Sequence, residues 1–350
     1  MLPKIEALKN DWNNSGRRLL ILAEGFENRA TTFVKSDSCP RFDHVIICEY
    51  EPIMKSNINS LLNLLSNKIS AENITIIKFN RFIPRDFECD LKEFLLQHID
   101  KFSEIVIDIS VMSKLLIVSI VWLLRDYSAP IRIIYTEPLN YSPSEIEFES
   151  QRNNSITSFS AFNSLGIFDV VRTPELSSVI MQQSSNILIA FTSFNECLLH
   201  SMLSSISPTH FFLIGSVPPI LSWREKAAQD LHISLIEDFS NDNPKNENGL
   251  LERRSSTLDY TGTFEILAQL YKKYCYDYRI VVAPTGSKMQ ALGVAIFKCC
   301  SPDVHIEYPT PETYRWENYS STGIRQIYQV RFENFKKLLK PLSDFYCLNG

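Results

Sequence analysis

Glycine is scarce, 10 in 350 residues, and no G-x-G-x-x-G follows a predicted strand, so the sequence gives no support for a redox dinucleotide cofactor. No G-x-x-x-x-G-K-[ST] occurs either, which argues against a P-loop ATPase or kinase. The 8 cysteines are scattered without a C-x-x-C and read as reduced thiols of a cytoplasmic protein. The 6 histidines show no ligand spacing, and no metal or cofactor is expected. A net charge of −5 offers no footprint for duplex DNA. The most apolar run, Leu115–Leu124, is far short of a membrane span, and Met1–Glu6 is too polar for a signal peptide, so no membrane association is expected.

What the chain does carry is a soluble-domain composition, 45% hydrophobic and 21% charged, and a length that suits two domains. Short β-branched runs alternate with helical patterns. Strands are expected at Arg18–Ala23, His44–Glu49, Ile74–Phe79, Glu104–Ile109 and Ile131–Tyr135, and again at Ile187–Phe191, His210–Ile214, Ile233–Phe239, Arg279–Ala283 and Val304–Tyr308. Helices are expected within 1–16, then at Met54–Ile69, Cys89–Phe102, from Lys114 to Leu124, toward Val170–Gln183, and at Trp223–Leu231 and Tyr260–Tyr274. The alternation implies an α/β fold of two tandem Rossmann-like parallel-sheet units. The domains are read as 1–145 and 186–330, with a polar connector and helix over 146–185, a loop over Ser240–Gly249 and a C-terminal helix over 331–350, basic near Arg331–Lys340.

The two halves read as an internal duplication. His44-Val-Ile-Ile-Cys parallels His210-Phe-Phe-Leu-Ile. Ser113-Lys114 and Ser287-Lys288 each precede an apolar helix, and Tyr-Thr-Glu-Pro (135–138) parallels Tyr-Pro-Thr-Pro (308–311), with Tyr141 and Tyr314 trailing at one offset.

Ligands of open α/β sheets bind beyond the carboxyl ends of the strands. The polar turns there are Glu24, Gly25, Glu27, Arg29, Glu51, Ser110, Ser113 and Lys114 in the first half. In the second they are Thr192, Ser193, Asn195, Ser216, Thr285, Gly286, Ser287 and Lys288. A helix start that presents free amides with a lysine is an anion site; equally, Thr285 or Ser287 would serve only as a cap. Tyr141, Tyr314 and Trp316 are candidates for stacking on bases or for closing a sheet edge. Glu27 and Arg29 read as a surface ion pair, and Asp108 as a strand-end acid or the cap of its turn. If the halves face one cleft, a ligand with several phosphates and internal symmetry would suit it.

The strand–Thr285-Gly286-Ser287-Lys288–helix segment resembles the strand–TGGTK–helix signature of CARF domains, Rossmann-like sensors of cyclic oligoadenylates in prokaryotic antiviral defence. The resemblance implies ligand contacts from Thr285, Gly286, Ser287 and Lys288, and from Ser113 and Lys114 by the internal match. It also implies either sensing through an effector partner or a metal-independent ring nuclease using Ser287 and Lys288. The first half departs from the signature, with Val111-Met112 where Thr-Gly would stand. No effector domain is read after residue 330, so a monomer that acts as a pseudo-dimer, or a homodimer, is expected to work through a separate protein. A nucleotide or nucleoside hydrolase using strand-end carboxylates, and a non-catalytic interaction scaffold, are the competing readings.

Overall fold

The computed structural model describes residues 1–12, 16–52, 56–153, 164–242, 251–314 and 321–347. Trp316 and most of the expected 240–249 loop lie outside the described residues, as does most of the polar stretch before residue 164. The strands are β1 (Glu6–Ala7), β2 (Arg18–Ala23), β3 (His44–Glu51), β4 (Ile74–Asn80), β5 (Glu104–Asp108), β6 (Ile131–Glu137), β7 (Ser164–Val171), β8 (Asn186–Phe191), β9 (His210–Val217), β10 (Arg254–Ser256), β11 (Arg279–Val282), β12 (His305–Ile306), β13 (Tyr308–Tyr314) and β14 (Gln326–Phe332). The helices are α1 (Thr32–Lys35), α2 (Ile58–Ser66), α3 (Arg85–His98), α4 (Lys114–Leu123), α5 (Glu145–Asn153), α6 (Glu196–Ile206), α7 (Trp223–Leu231), α8 (Ile233–Asp242), α9 (Tyr260–Tyr274), α10 (Lys288–Cys300) and α11 (Phe335–Cys347).

The chain is a Rossmann-like α/β protein of two compact units. One comprises Met1–Leu116, Leu123–Tyr141 and Ser320–Pro341, the other Ile117–Trp122, Ser142–Tyr319 and Leu342–Gly350. In the first, the strand order is β1-β14-β6-β5-β2-β3-β4, with β4, β3, β2, β5 and β6 parallel and β14 antiparallel to β6. In the second, β10-β9-β8-β11-β12 form a wholly parallel sheet. Numbered within each unit from β2 and from β8, both parallel sets run 3-2-1-4-5, the order of a dinucleotide-binding sheet. The central strands explain the continuous apolar runs. Leu19 to Leu22 and Ile187 to Phe191 are at most 1% exposed, since helices cover both faces of such a sheet.

Several expectations are corrected. Residues 1–12 hold no helix; Glu6 and Ala7 pair with Gln329 and Tyr328 on β14 instead. Ile233–Phe239 is helical, because Leu235, Ile236 and Phe239 recur at helical spacing against the core while Ile233 is exposed. The helix expected over Val170–Gln183 is absent: Val170 and Val171 end β7, which pairs antiparallel with β13. The connector thus holds a strand, and the tyrosine- and proline-rich ending of the second half is its partner. Arg331 lies in β14 rather than in a helix, and Gln326–Val330, read with the second half, pair in the first sheet. Other elements without a counterpart in the sequence reading include the polar strand β10 and the helices α5 and α6.

Candidate functional site

In each 3-2-1-4-5 sheet the connections reverse direction between the first and fourth strands, β2 and β5 in one unit and β8 and β11 in the other. The crevice beyond their carboxyl ends is where this architecture places ligands. Glu24, Gly25, Asp108, Ser110, Ser113 and Lys114 lie at the first of these switch points, and Thr192, Ser193, Asn195 and Thr285–Lys288 at the second.

At the first, Glu24 ends β2 with 2% exposure. Its Oε1 accepts from the Tyr50 N–H (3.1 Å), and burial pushes its carboxyl pKa up against the hydrogen bonds of Ser56 and Tyr50. The Gly25 N–H donates to Asn57 Oδ1 (3.1 Å), which fixes the turn after β2. Asp108 takes the capping role: its Oδ1 accepts the Ser110 N–H (3.0 Å) and the Ser110 hydroxyl, while Ser110 Oγ accepts the Thr136 N–H (2.8 Å). Ser113 caps α4 by accepting the Leu116 N–H on its hydroxyl (3.2 Å), and its own N–H donates to the Tyr50 hydroxyl (2.6 Å). Lys114 opens the helix half-buried, and desolvation brings its amine down to about 8. Among the described residues it makes no hydrogen bond or ion pair.

Four other first-half candidates are tied elsewhere. Glu27 and Arg29 are not a surface pair: at 8% and 5% exposure they form a buried ion pair, and Arg29 Nη1 also donates to the Thr136 carbonyl (2.8 Å). The sequence gives no sign of this burial, because it depends on a strand 107 residues away. Glu51 pairs with the exposed Lys78 (2.7 Å). The Tyr141 hydroxyl donates to Glu137 (3.1 Å), which also accepts from Tyr328 (3.2 Å).

At the second switch point the Thr285-Gly286-Ser287 turn is held from within. The Thr285 hydroxyl accepts the Phe191 N–H (2.9 Å) and donates to the Phe191 carbonyl (2.7 Å), locking β8 to the turn after β11. Ser287 and Gln290 form a complete capping box. The Ser287 N–H donates to Gln290 Oε1 (2.7 Å), the Gln290 N–H donates to Ser287 Oγ (3.0 Å), and the Ser287 hydroxyl donates to the Thr257 carbonyl (2.7 Å). Gln290 is fully buried, receives the Ser216 hydroxyl (3.2 Å) and donates to the Ser255 carbonyl (3.3 Å). Gly286 is required by close approach, since a Cβ there would stand 2.1 Å from Gln290 Oε1 and 2.9 Å from Phe191 Cβ. Lys288 follows, half-buried.

The β8 turn completes this second set. Thr192 Oγ1 accepts the Ser216 N–H (2.8 Å), and the Ser193 N–H donates to His232 Nε2 (3.3 Å). That contact assigns the other ring proton to Nδ1, and burial drives the imidazole pKa down to about 4. Asn195 Nδ2 donates to Ser164 Oγ (2.6 Å), and Ser164 is the register partner of Tyr314. The structure therefore brings Thr192, Ser193, Asn195 and the end of β13 together. Gln290, Tyr50 and His232 were missed by sequence reasoning. The Ser-x-x-Gln spacing could have revealed the first; the other two depend on contacts 63 and 39 residues apart.

No family model matches the chain, and no curated protein does. Among solved structures it is similar to a Type III CRISPR defence DNA nuclease activated by cyclic oligoadenylate, with a TM-score of 0.47 and 9% identity over 83% of this chain. The chain spans 65%, under two thirds, of that nuclease's length. A universal stress protein from Archaeoglobus fulgidus DSM 4304 matches with a TM-score of 0.24 and 10% identity over 84% of this chain and 96% of its own. Both scores are low, and at such identities no residue correspondence follows. No helix among the described residues is long and apolar enough to cross a membrane.

Proposed function

We propose that this chain binds a phosphate-bearing nucleotide and acts as a sensor of a cyclic oligonucleotide second messenger in prokaryotic antiviral defence. The observation that carries the reading is the placement of Ser113-Lys114 and Ser287-Lys288. Each pair opens the helix after the fourth strand of a 3-2-1-4-5 sheet, where helix amides and a lysine converge on an incoming anion. The same placement supports internal duplication as the origin of the two units. The messenger class and the defence context come from the likeness of the Thr285–Lys288 turn to the CARF signature. The ligand contacts proposed are, in the first unit, Glu24, Gly25, Ser113 and Lys114, and, in the second unit by itself, Thr192, Ser193, Asn195, Gly286, Ser287, Lys288 and Tyr314; Thr285 contributes by fixing its turn. An effector protein would carry the output.

Ser287 is a poor candidate for cleavage chemistry because its hydroxyl proton is given to the Thr257 carbonyl, which favours sensing over ring opening. Hydrolysis of small nucleotides keeps one specific support, the raised pKa of the buried Glu24, a tuned strand-end acid. Differential scanning fluorimetry against linear and cyclic oligonucleotides, with wild type beside Lys288→Ala and Lys114→Ala, tests the sensor. A ligand at a hundred times its dissociation constant adds about 2.7 kcal/mol, a clear rise in melting temperature that the lysine variants should reduce. Turnover of a small nucleotide that disappears in Glu24→Gln would replace the sensor reading with the hydrolase one.

A further inference from the structure

The two switch points are bridged in different ways. Tyr50 stands six residues beyond His44 on β3, and Ser216 six beyond His210 on β9. Three residues past its cap, α10 has Gln290 where α4 has Leu116. In the second unit the cap amide of Ser287 is taken by Gln290 from within the helix, and Gln290 is braced by Ser216 and Ser255 in a fully buried network. A ligand oxygen reaching that amide would have to break the whole set. In the first unit no glutamine is present, and the cap amide of Ser113 is taken by a hydroxyl at the tip of Tyr50. Tyr50 is half-exposed, with its ring edge-on to Phe79 at 5.7 Å.

We infer that the first unit's switch point is an anion-binding site held closed by Tyr50, whose hydroxyl occupies the Ser113 N–H until a ligand oxygen drawn in by Lys114 takes its place. The inference rests on the reading that the ligand is a nucleotide and deepens it. A second observation points to a ligand independently of the helix end. Glu24 is buried, and its Oε2 has no hydrogen-bond partner among the described residues. Glu24 is also joined to the gate, since its other oxygen accepts from the Tyr50 N–H. A buried acceptor without a donor costs the fold on the order of 1–3 kcal/mol, which a bound hydroxyl would recover. An anion for Lys114 and a hydroxyl donor for Glu24 together describe a phosphate ester carrying a free sugar hydroxyl. Lys114 meets no carboxylate in the described structure, so its charge remains available to such a group.

The test is titration calorimetry on the full chain at low ionic strength, with sodium tripolyphosphate and a panel of cyclic oligoadenylates as probes. Four proteins are compared: wild type, Tyr50→Phe, Lys114→Ala and Lys288→Ala. Removing the competing hydroxyl should tighten binding roughly fivefold, a change in the direction opposite to simple damage. Lys114→Ala should weaken it at least about tenfold, and by more than Lys288→Ala does. Unchanged or weaker binding in Tyr50→Phe overturns the gate. A larger loss in Lys288→Ala than in Lys114→Ala overturns the first-unit site and leaves the nucleotide reading standing. Lys114-dependent binding of tripolyphosphate with no response to any cyclic nucleotide keeps the site and removes the nucleotide reading. Silence toward both probes removes both.

Discussion

A lysine amine held near pH 8 by desolvation works against the fold at neutral pH. Relative to an unfolded value of 10.5, the folded chain binds fewer protons as pH rises from about 8, so Lys114 opposes folding fully below 8 and ceases to do so only above the unfolded value. Lys114→Met should therefore raise the melting temperature at pH 7, and the gain should vanish near pH 10.5. Thermal melts of both proteins across that range check it, and an equal gain at both ends would deny the desolvation. Two histidines of the second unit behave likewise in acid. His232 and His305 are both brought from 6.5 to about 4, chiefly by burial, with His305 also crowded by Arg279 and Lys298. Their neutral forms stabilise the fold fully above pH 6.5, and that contribution is lost as pH falls through 4. In urea titrations, the double variant His232→Asn/His305→Asn should lose less stability than wild type between those two pH values.

Among the elements, α10 is held most tightly at its start. Gly286→Ala drives a methyl group into Gln290 and Phe191, and Gly293→Ala brings one to 2.6 Å from the Tyr260 carbonyl oxygen where α9 and α10 cross. Each should destabilise by about 1–3 kcal/mol in chemical denaturation, whereas Gly25→Ala, with only ordinary contact to Val111 at 3.5 Å, should cost far less. This is also the level at which the sequence was most readable. Continuous apolar runs identify β2, β8 and β11 because a strand covered on both faces has no polar side to show. The polar turns after them mark both switch points. What stayed hidden follows from tertiary context. β10 is the tripeptide Arg-Ser-Ser, whose strand state comes only from pairing with β9. The first residues of α8 alternate like a strand until Leu235, Ile236 and Phe239 are seen to share a buried side. At the candidate sites, the polar turns were legible and the hydrogen bonds that hold them were not. The hydroxyl protons of Thr285 and Ser287 go to the Phe191 and Thr257 carbonyls, partners 94 and 30 residues away that no local pattern reveals.

At the scale of the whole molecule, the N-terminal arm and the late strand β14 belong to one unit. Arg132, fully buried, pairs with Glu104 (3.2 Å) and Asp11 (2.6 Å), donates to Gln329 (2.8 Å) and lies over Trp12 at 3.8 Å from the ring centre. It thereby fastens the N-terminal arm, the middle of the first sheet and the returning strand β14 in one contact set. Arg132→Ala leaves buried acceptors uncompensated and should cost the first unit about 3 kcal/mol. The unfolding step of that unit alone should shift, and loss of the second unit's step as well would mean that the two are not independent. The same return has a consequence in time. β6 gains its outer neighbour only when residues 326–332 have been made, after Ser142–Tyr319 of the second unit has been translated. At ~5–20 residues per second that delay is on the order of 10–40 s. Throughout it the nascent first sheet offers a bare strand edge to any other chain on the same polysome, and a chaperone that shields such edges during synthesis would decide how much of this protein is recovered soluble.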